Sequence, residues 1–240
     1  ERQLARGAAE IVLTGVDITA WGADLPGQPT LGSLVAAILA RVPRLARLRL
    51  SSLDGAEIDP LLFDLIAGEP RVMPHLHLSL QHGDDLILKR MKRRHSRAQA
   101  IALVERLKAR RPGIAIGADL IAGFPTESEA HHGANLDLVR LLGIVHGHVF
   151  PFSPRPGTPA ARMPQVDGAS IRRRAAEVRA AVAATRAEWL ASLIGKPLQV
   201  LAERDGRGYA ENYARVATPG IAPGSIATIT PRACEDDLLQ

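Results

Sequence analysis

The sequence predicts an α/β fold, a parallel sheet with a small all-β region after it, on three observations. Apolar runs of strand length recur five times. The segments between them carry helix start signals, so strand and helix alternate, which implies right-handed crossovers and parallel pairing. The last 45 or so residues then change to short β-prone runs split by Gly, Pro and Asp-Gly turns. Five parallel strands make either an open sheet or part of a barrel.

In order, the first strand is "EIVLTGV" (10–16), and a helix starts at Thr30 in "PTLGSLVAAILARV". The second strand is "LARLRLSS" (45–52). A helix follows with Asp59 as cap and Pro60 at its first position, where the missing N–H costs nothing. "HLHLSLQ" (75–81) is the third strand, and Ser96 with Gln99 opens the next helix as a capping box. "IAIGADLIAGF" (114–124) is the fourth. Thr126 with Glu129 reads as a second capping box, placing a helix directly after that strand with His131 and His132 on its surface. "GIVHGHVFPF" (143–152) is the fifth strand, and the Pro-rich "SPRPGTPAARMP" (153–164) is irregular. A long helix over about 168–194 is capped by Asp167 and stopped by Gly195-Lys196-Pro197. The expected division is a barrel portion over 1–165, a bridging helix over 166–195 and a small β-barrel over 196–240.

The 240 residues, 46% hydrophobic and 23% charged, suffice for one substantial core and a small second one. A formal charge of +5 points to an anionic partner, with a merely arginine-rich composition as the equal alternative. No apolar run reaches the length of a membrane span and no signal peptide opens the chain, so a cytoplasmic protein is the default. The single Cys234 excludes an internal disulfide and a self-sufficient iron–sulfur or cysteine-type zinc site. The chain starts at Glu1, not Met, and a fragment of a longer protein is therefore the expectation.

In a parallel α/β structure the C-terminal strand ends converge on one face. Here those ends are Gly15-Val16-Asp17, Ser51-Ser52, Ser79 with Gln81, and Gly123 to Glu127. Each alone is ordinary turn chemistry; small or polar groups at four successive ends together indicate a site. "LKRMKRRHSR" (88–97) is either a solvated basic face or a phosphate or carboxylate clamp with RNA-backbone contacts. His75-x-His77 and His146-x-His148 each place two imidazoles on one side of a strand, near strand starts, a spacing used by barrel metal-dependent hydrolases. The bland alternative is buried histidines satisfied by backbone groups. Walker, Gly-x-Gly-x-x-Gly and Gly-x-Ser-x-Gly motifs are missing, which removes the support for common nucleotide or hydrolase loops.

At "HLHLSLQHGDDLILKRMKRRHSR", "GADLIAGFPTE" and "HVFPFSPRPGTPAARMP", with "IVLTGVD" before them, the chain resembles the radical S-adenosylmethionine methylthiotransferases that modify tRNA. The likeness runs from residue 1 to about 232 and is nearest to the branch acting on N6-threonylcarbamoyladenosine beside the anticodon. "GYAENYARV" resembles the core of the TRAM domain, an RNA-binding β-barrel. The resemblance implies a partial parallel (β/α) barrel of the radical SAM type followed by a TRAM-like barrel.

It also implies S-adenosylmethionine as cofactor, with Gly15, Val16 and Asp17 receiving the methionine ammonium and Arg93 the carboxylate. Ser51, Ser79 and Gln81 would face the ribose or methionine moiety; Ile121, Gly123, Phe124 and Phe150 would line the adenine site. Lys196, Arg204, Arg207 and Arg215 with Tyr209 and Tyr213 would meet tRNA phosphates and an unpaired base; the alternative is ordinary barrel-core tyrosines. The family holds two 4Fe–4S clusters on cysteines upstream of this segment, so none is expected here and this chain alone should be inactive. The remaining implied partner is an electron donor such as a flavodoxin or ferredoxin, and a monomer is expected. Two rival readings are a non-catalytic RNA-binding protein on a degenerate radical SAM scaffold, and a barrel hydrolase using the His-x-His pairs.

Overall fold

The computed structural model describes residues 1–240. After a short helix α1 (Arg2–Ala5), the chain runs β1 (Glu10–Leu13), α2 (Leu31–Arg41), β2 (Arg47–Leu50), α3 (Pro60–Gly68), β3 (His75–Gln81), α4 (Asp85–Arg90), α5 (Arg97–Arg110), β4 (Ala115–Ala122), α6 (Glu129–Leu142), β5 (Ile144–Pro151) and α7 (Gly168–Leu193). Six short strands follow: β6 (Leu198–Ala202), β7 (Arg207–Ala210), β8 (Arg215–Ala217), β9 (Ile226–Ile229), β10 (Cys234–Glu235) and β11 (Leu238–Leu239).

β1 pairs in parallel with β2, from Glu10 opposite Arg47 to Leu13 opposite Leu50. β3, β4 and β5 form a second parallel ladder. Single parallel bridges, Leu48 to Val72 and Leu53 to Leu78, join the two groups. The five strands therefore lie in chain order, a partial barrel as expected, with β1 paired on one side only. The terminal strands form a sheet in the order β10-β11-β8-β7-β6-β9, in which β9 and β10 do not pair.

Alternation along the strands sorts the side chains. Leu76, Leu78, Leu80, Ile116, Ala118 and Leu120 face outward into a core with Leu62 and Ile66 of α3, Leu107 of α5, and Leu138 and Val139 of α6. Helix α7 reaches two cores: Val178, Ala181 and Val182 pack in the barrel core, while Leu190 and Leu193 pack with Leu198, Val200, Ala210 and Val216 of the terminal sheet. A fully buried Leu or Val contributes about 1.5–3 kcal/mol, so these few apolar residues are enough to seat an otherwise polar helix.

Four helix starts match their sequence signals: Thr30, Asp59, Ser96 with Gln99, and Asp167 accept from their own first turns. The start of α6 does not. Its cap is Ser128, boxed with His131, two residues beyond Thr126. Thr126 instead sits in the left-handed region at φ 67 and accepts from Arg90 Nη1 at 2.6 Å. The histidines differ too: His131 closes the capping box and His132 is buried, 2.6 Å from Glu177 of α7. β1 stops at Leu13, so Gly15, Val16 and Asp17 lie in the following loop, and the basic stretch before Ser96 contains the short helix α4, capped by Asp84.

Candidate functional site

The inward faces of the strands line a polar lumen. At its lower end, Arg47 and Arg49 of β2 enclose Glu10 of β1, each with Nε 2.8 Å from a carboxylate oxygen, all three side chains nearly buried. Arg47 Nε is not aimed for a hydrogen bond, so its contact is ionic. The guanidiniums spend their remaining donors on backbone carbonyls of the terminal sheet, Arg47 on Gln199 and Tyr209, Arg49 on Ala210 and Glu211. Tyr213 stacks on His75 with ring centroids 4.8 Å apart, Tyr209 stacks on Tyr213 at 4.7 Å, and Trp189 meets His146 edge-on. The terminal sheet thus floors the barrel.

Burial, with His146, Arg49 and His77 nearby, holds His75 well below the usual imidazole range. His146 is pushed down to about 3, first by burial and then by Arg186 and its other cationic neighbours. Both are neutral at physiological pH.

At mid-height, Asp119 of β4 takes two imidazoles on one oxygen: His77 Nε2 and His148 Nδ1 each lie 3.1 Å from Oδ1. Burial works against the charged form of Asp119, but the hydrogen bonds and charge of the two histidines outweigh it and keep the carboxyl below its ordinary value. Gly117 makes this possible, since a Cβ there would stand 2.5 Å from His77 Nδ1.

Above this tier, Ser52 and Ser79 hydroxyls share a hydrogen bond of 2.9 Å, and Arg93 Nη2 donates to the Ser79 carbonyl and to Asp54. Ser51 Oγ and Arg93 Nε are buried without partners. Gln81, Arg93, Ile121 and Phe124 meet in a cleft of ≈ 460 Å³, closed by Arg90–Lys92 on one side and Thr158–Ala160 on the other. Gln81 at φ 66 and Lys92 at φ 58 hold left-handed backbone beside it, the kind of strain that collects at ligand sites, while Gly123 at φ 77 takes that region without strain. Of the other residues singled out above, Gly15 and Asp17 border a separate pocket with Trp21 and Leu31. Val16 is fully exposed, and Phe150 is half exposed, edge-on to His148. Lys196, Arg204 and Arg207 are exposed, and Arg215 is partly covered.

The loop from Gly123 to Glu127 is fixed by a residue that sequence reading left without a role. Glu127 has a fully buried side chain whose Oε2 accepts from Gly123 N at 2.9 Å, Phe124 N at 3.3 Å and His82 at 3.2 Å. Its Oε1 accepts from Arg174 of α7 at 3.1 Å. Burial raises its proton affinity, but His82, Arg174 and the Gly123 amide prevail and hold it ionised. Gly123 fits against α7 so closely that a Cβ would meet Ile171 at 2.6 Å. An acid followed three residues on by no basic partner in sequence gives no local sign of this; the partner is 47 residues away.

A parallel partial barrel floored by a small β-sheet, with the C-terminal ends of β3 and β4 opening into one cleft, defines a cofactor-binding (β/α) barrel. The chain belongs to the radical SAM superfamily, whose family model matches residues 2–139, more than half of its length. That superfamily uses S-adenosylmethionine and a 4Fe–4S cluster. The chain is 47% identical over 211 residues to threonylcarbamoyladenosine tRNA methylthiotransferase MtaB of Rickettsia prowazekii, covering 88% of this chain and 50% of that protein. It is 39% identical over 202 residues to a tRNA-2-methylthio-N(6)-dimethylallyladenosine synthase of Cereibacter sphaeroides, covering 84% and 45%. The chain thus spans about half the length of these curated relatives. Among solved structures, the radical S-adenosylmethionine methyltransferase TsrM from Kitasatospora setae aligns with a TM-score of 0.52 at 19% identity, covering 67% of this chain and 31% of that one. Coproporphyrinogen III oxidase HemN from Escherichia coli aligns at 0.51 and 16%, covering 75% and 40%. These two bear on the fold alone. No helix is long and apolar enough to cross a membrane.

Proposed function

We propose that this chain is the barrel and RNA-facing part of an enzyme that methylthiolates C2 of N6-threonylcarbamoyladenosine next to the anticodon of tRNA. The observation that carries the reading is the 47% identity to the Rickettsia protein over 88% of the chain. The lumen agrees with it: Ser52, Ser79, His77, Asp119 and His148 are polar groups, suited to a hydroxyl- and carboxylate-bearing substituent and poorly suited to an apolar dimethylallyl group.

S-adenosylmethionine fits the cleft above the lumen, where the buried Arg93 Nε is unpartnered. Arg93 would hold its carboxylate and the Gly15–Asp17 loop its ammonium. Ser51, Ser79 and Gln81 would face the ribose or methionine portion, with Ile121, Gly123, Phe124 and Phe150 beside the adenine. When bound, the cofactor supplies a deoxyadenosyl radical and the transferred methyl group. A 4Fe–4S cluster does not fit the residues of this chain: Cys234, the single cysteine, is exposed in the terminal sheet. Lys196, Arg204, Arg207 and Arg215 would track tRNA phosphates, with Tyr209 on the same face of the sheet as Arg207 and Arg215, and Tyr213 stacked on Tyr209. A cytoplasmic location, an electron donor of the flavodoxin or ferredoxin class and a monomeric state complete the reading.

The test is deletion of the gene and mass spectrometry of tRNA nucleosides. The expected result is loss of the 2-methylthio form of threonylcarbamoyladenosine, with accumulation of its unthiolated precursor and no change in isopentenyl-type adenosines. An unchanged threonylcarbamoyladenosine profile would refute it.

A further inference from the structure

The two His-x-His pairs of the sequence do not act as pairs. One histidine of each, His77 and His148, converges with Asp119 at the middle of the lumen, while His75 and His146 form the tier beneath. The three come from three adjacent strands, β3, β4 and β5, and Asp119 stands opposite His148 in the β4–β5 register. Their ligand-type atoms all lie within 4.8 Å of one another, and both nitrogen-to-oxygen separations are 3.1 Å. Two ligand atoms at about 2.0–2.2 Å from one ion, set at octahedral or tetrahedral angles, stand roughly 3.0–3.5 Å apart.

We propose that His77 Nε2, His148 Nδ1 and Asp119 Oδ1 form a three-ligand site for a borderline divalent metal ion such as zinc, distinct from the superfamily's iron–sulfur chemistry. Two imidazoles and one carboxylate on one face of an ion leave its other positions open. Those positions face the exposed side, because the His148 side chain is 66% exposed while His77 and Asp119 are 10% and 22% exposed. An ion therefore has a route in.

Three further features favour a cation over a plain hydrogen-bonded triad. Asp119 directs one oxygen at both imidazoles and leaves the other with a single distant contact, Ser52 Oγ at 3.5 Å. Gly117 lets the His77 ring lie against β4, which fixes the aim of Nε2. Behind the triad, both ring nitrogens of the buried His75 and Nε2 of His146 are unpartnered, so neither ring competes for the Asp119 carboxylate. Binding would exchange the two N–H to Oδ1 hydrogen bonds for metal bonds, each imidazole carrying its proton on the other ring nitrogen. The site uses the same His77, Asp119 and His148 that line the lumen in the reading above, but metal binding is read on the chain without tRNA, so either can fail alone.

The experiment is titration of Co2+, followed by the visible absorption of the bound ion, and of Zn2+ by calorimetry, into untagged protein carrying Cys234→Ser to remove the exposed thiol. The expected result is one ion per chain, with affinity weakened roughly tenfold or more by Asp119→Asn and by His148→Ala and unchanged by His131→Ala. Thermal unfolding reports whether each variant is folded, and the exposed His148 carries the test if the Asp119 variant is not. Absence of saturable binding, or binding that both variants leave intact, would overturn the proposal.

Discussion

Arg47 Nη1 of β2 donates to the backbone carbonyl of Gln199 in β6, 3.3 Å away. A buried charge of the barrel thus satisfies the terminal sheet, and the neutralising partner, Glu10, comes from a third element. Three charged side chains in one seam are costly to bury, and they are tolerated because every contact is paired or hydrogen-bonded.

The first prediction follows from that seam. Glu10→Gln leaves two guanidiniums buried without their shared ion-pair partner, Glu211 being the acid that remains near Arg47, and burial already depresses the Arg47 proton affinity. Removing one partner of a buried pair typically costs about 3–5 kcal/mol. Urea unfolding of the variant should show a loss in that range, with protease cleavage appearing near residues 195–197. A loss within experimental error would mean that the seam is hydrated and the terminal sheet is not held by it.

A second prediction concerns the loop over the cleft. Glu127→Ala removes four hydrogen bonds at once and leaves the buried Arg174 with Glu129 as its one carboxylate partner, so it should destabilise by about 3–5 kcal/mol. Glu127→Gln, which keeps an acceptor for the Gly123 and Phe124 amides, should lose less. Hydrogen exchange at those two amides is the direct readout: it should accelerate in both variants, more in the alanine. Unchanged exchange would show that the backbone of the loop holds itself.

How much of this was legible in the sequence depends on range. The five strands, the order of helices and four caps follow from local periodicity and from residues within one turn of each other, such as Asp59 accepting from Leu62 N. The β character of the terminal segment was legible for the same reason. What failed was a choice between two local signals: Thr126 and Ser128 both offer a hydroxyl three residues ahead of a polar side chain, and the left-handed turn at Thr126 decides for Ser128. What stayed hidden was long range. Asp119 sat unmarked inside an apolar run, because its meaning comes from His77, 42 residues earlier, and His148, 29 residues later. Tyr213 looked like a base-stacking residue and lies against His75 in the seam, a contact set by docking of the terminal sheet.

Third, RNA binding by the terminal sheet should be strongly dependent on salt, because it would draw on Arg204 and Arg207, which are exposed. Affinity for an anticodon stem-loop, measured by fluorescence anisotropy, should fall as salt rises. The double change Arg204→Ala/Arg207→Ala should flatten the log–log slope by about 1–2. Binding insensitive to salt, or a slope that the variant leaves untouched, would place the RNA-contacting surface elsewhere.

Fourth, stability should fall on mild acidification because burial holds His75 and His146 on the lumen floor, together with His95 near Arg93, below the usual imidazole range. His75 and His146 have proton affinities below that of an imidazole in the unfolded chain, whose pKa is about 6.5, and His146 is pushed down to about 3. Above about pH 6.5 both states are neutral and the folded form keeps its full advantage. As pH drops below that value the unfolded chain takes up protons that the folded one refuses, at about 1.4 kcal/mol per pH unit for each histidine. The carboxylates held low, Asp119 and Glu127, add to this only near and below about pH 4.5, where an unfolded carboxyl begins to protonate. The window from pH 6.5 to 5 therefore isolates the imidazoles. Urea midpoints at pH 7.5 and 5.5 should differ clearly, and His146→Gln should shrink the difference. Equal midpoints would mean that water reaches these rings and that the terminal sheet does not seal the barrel floor.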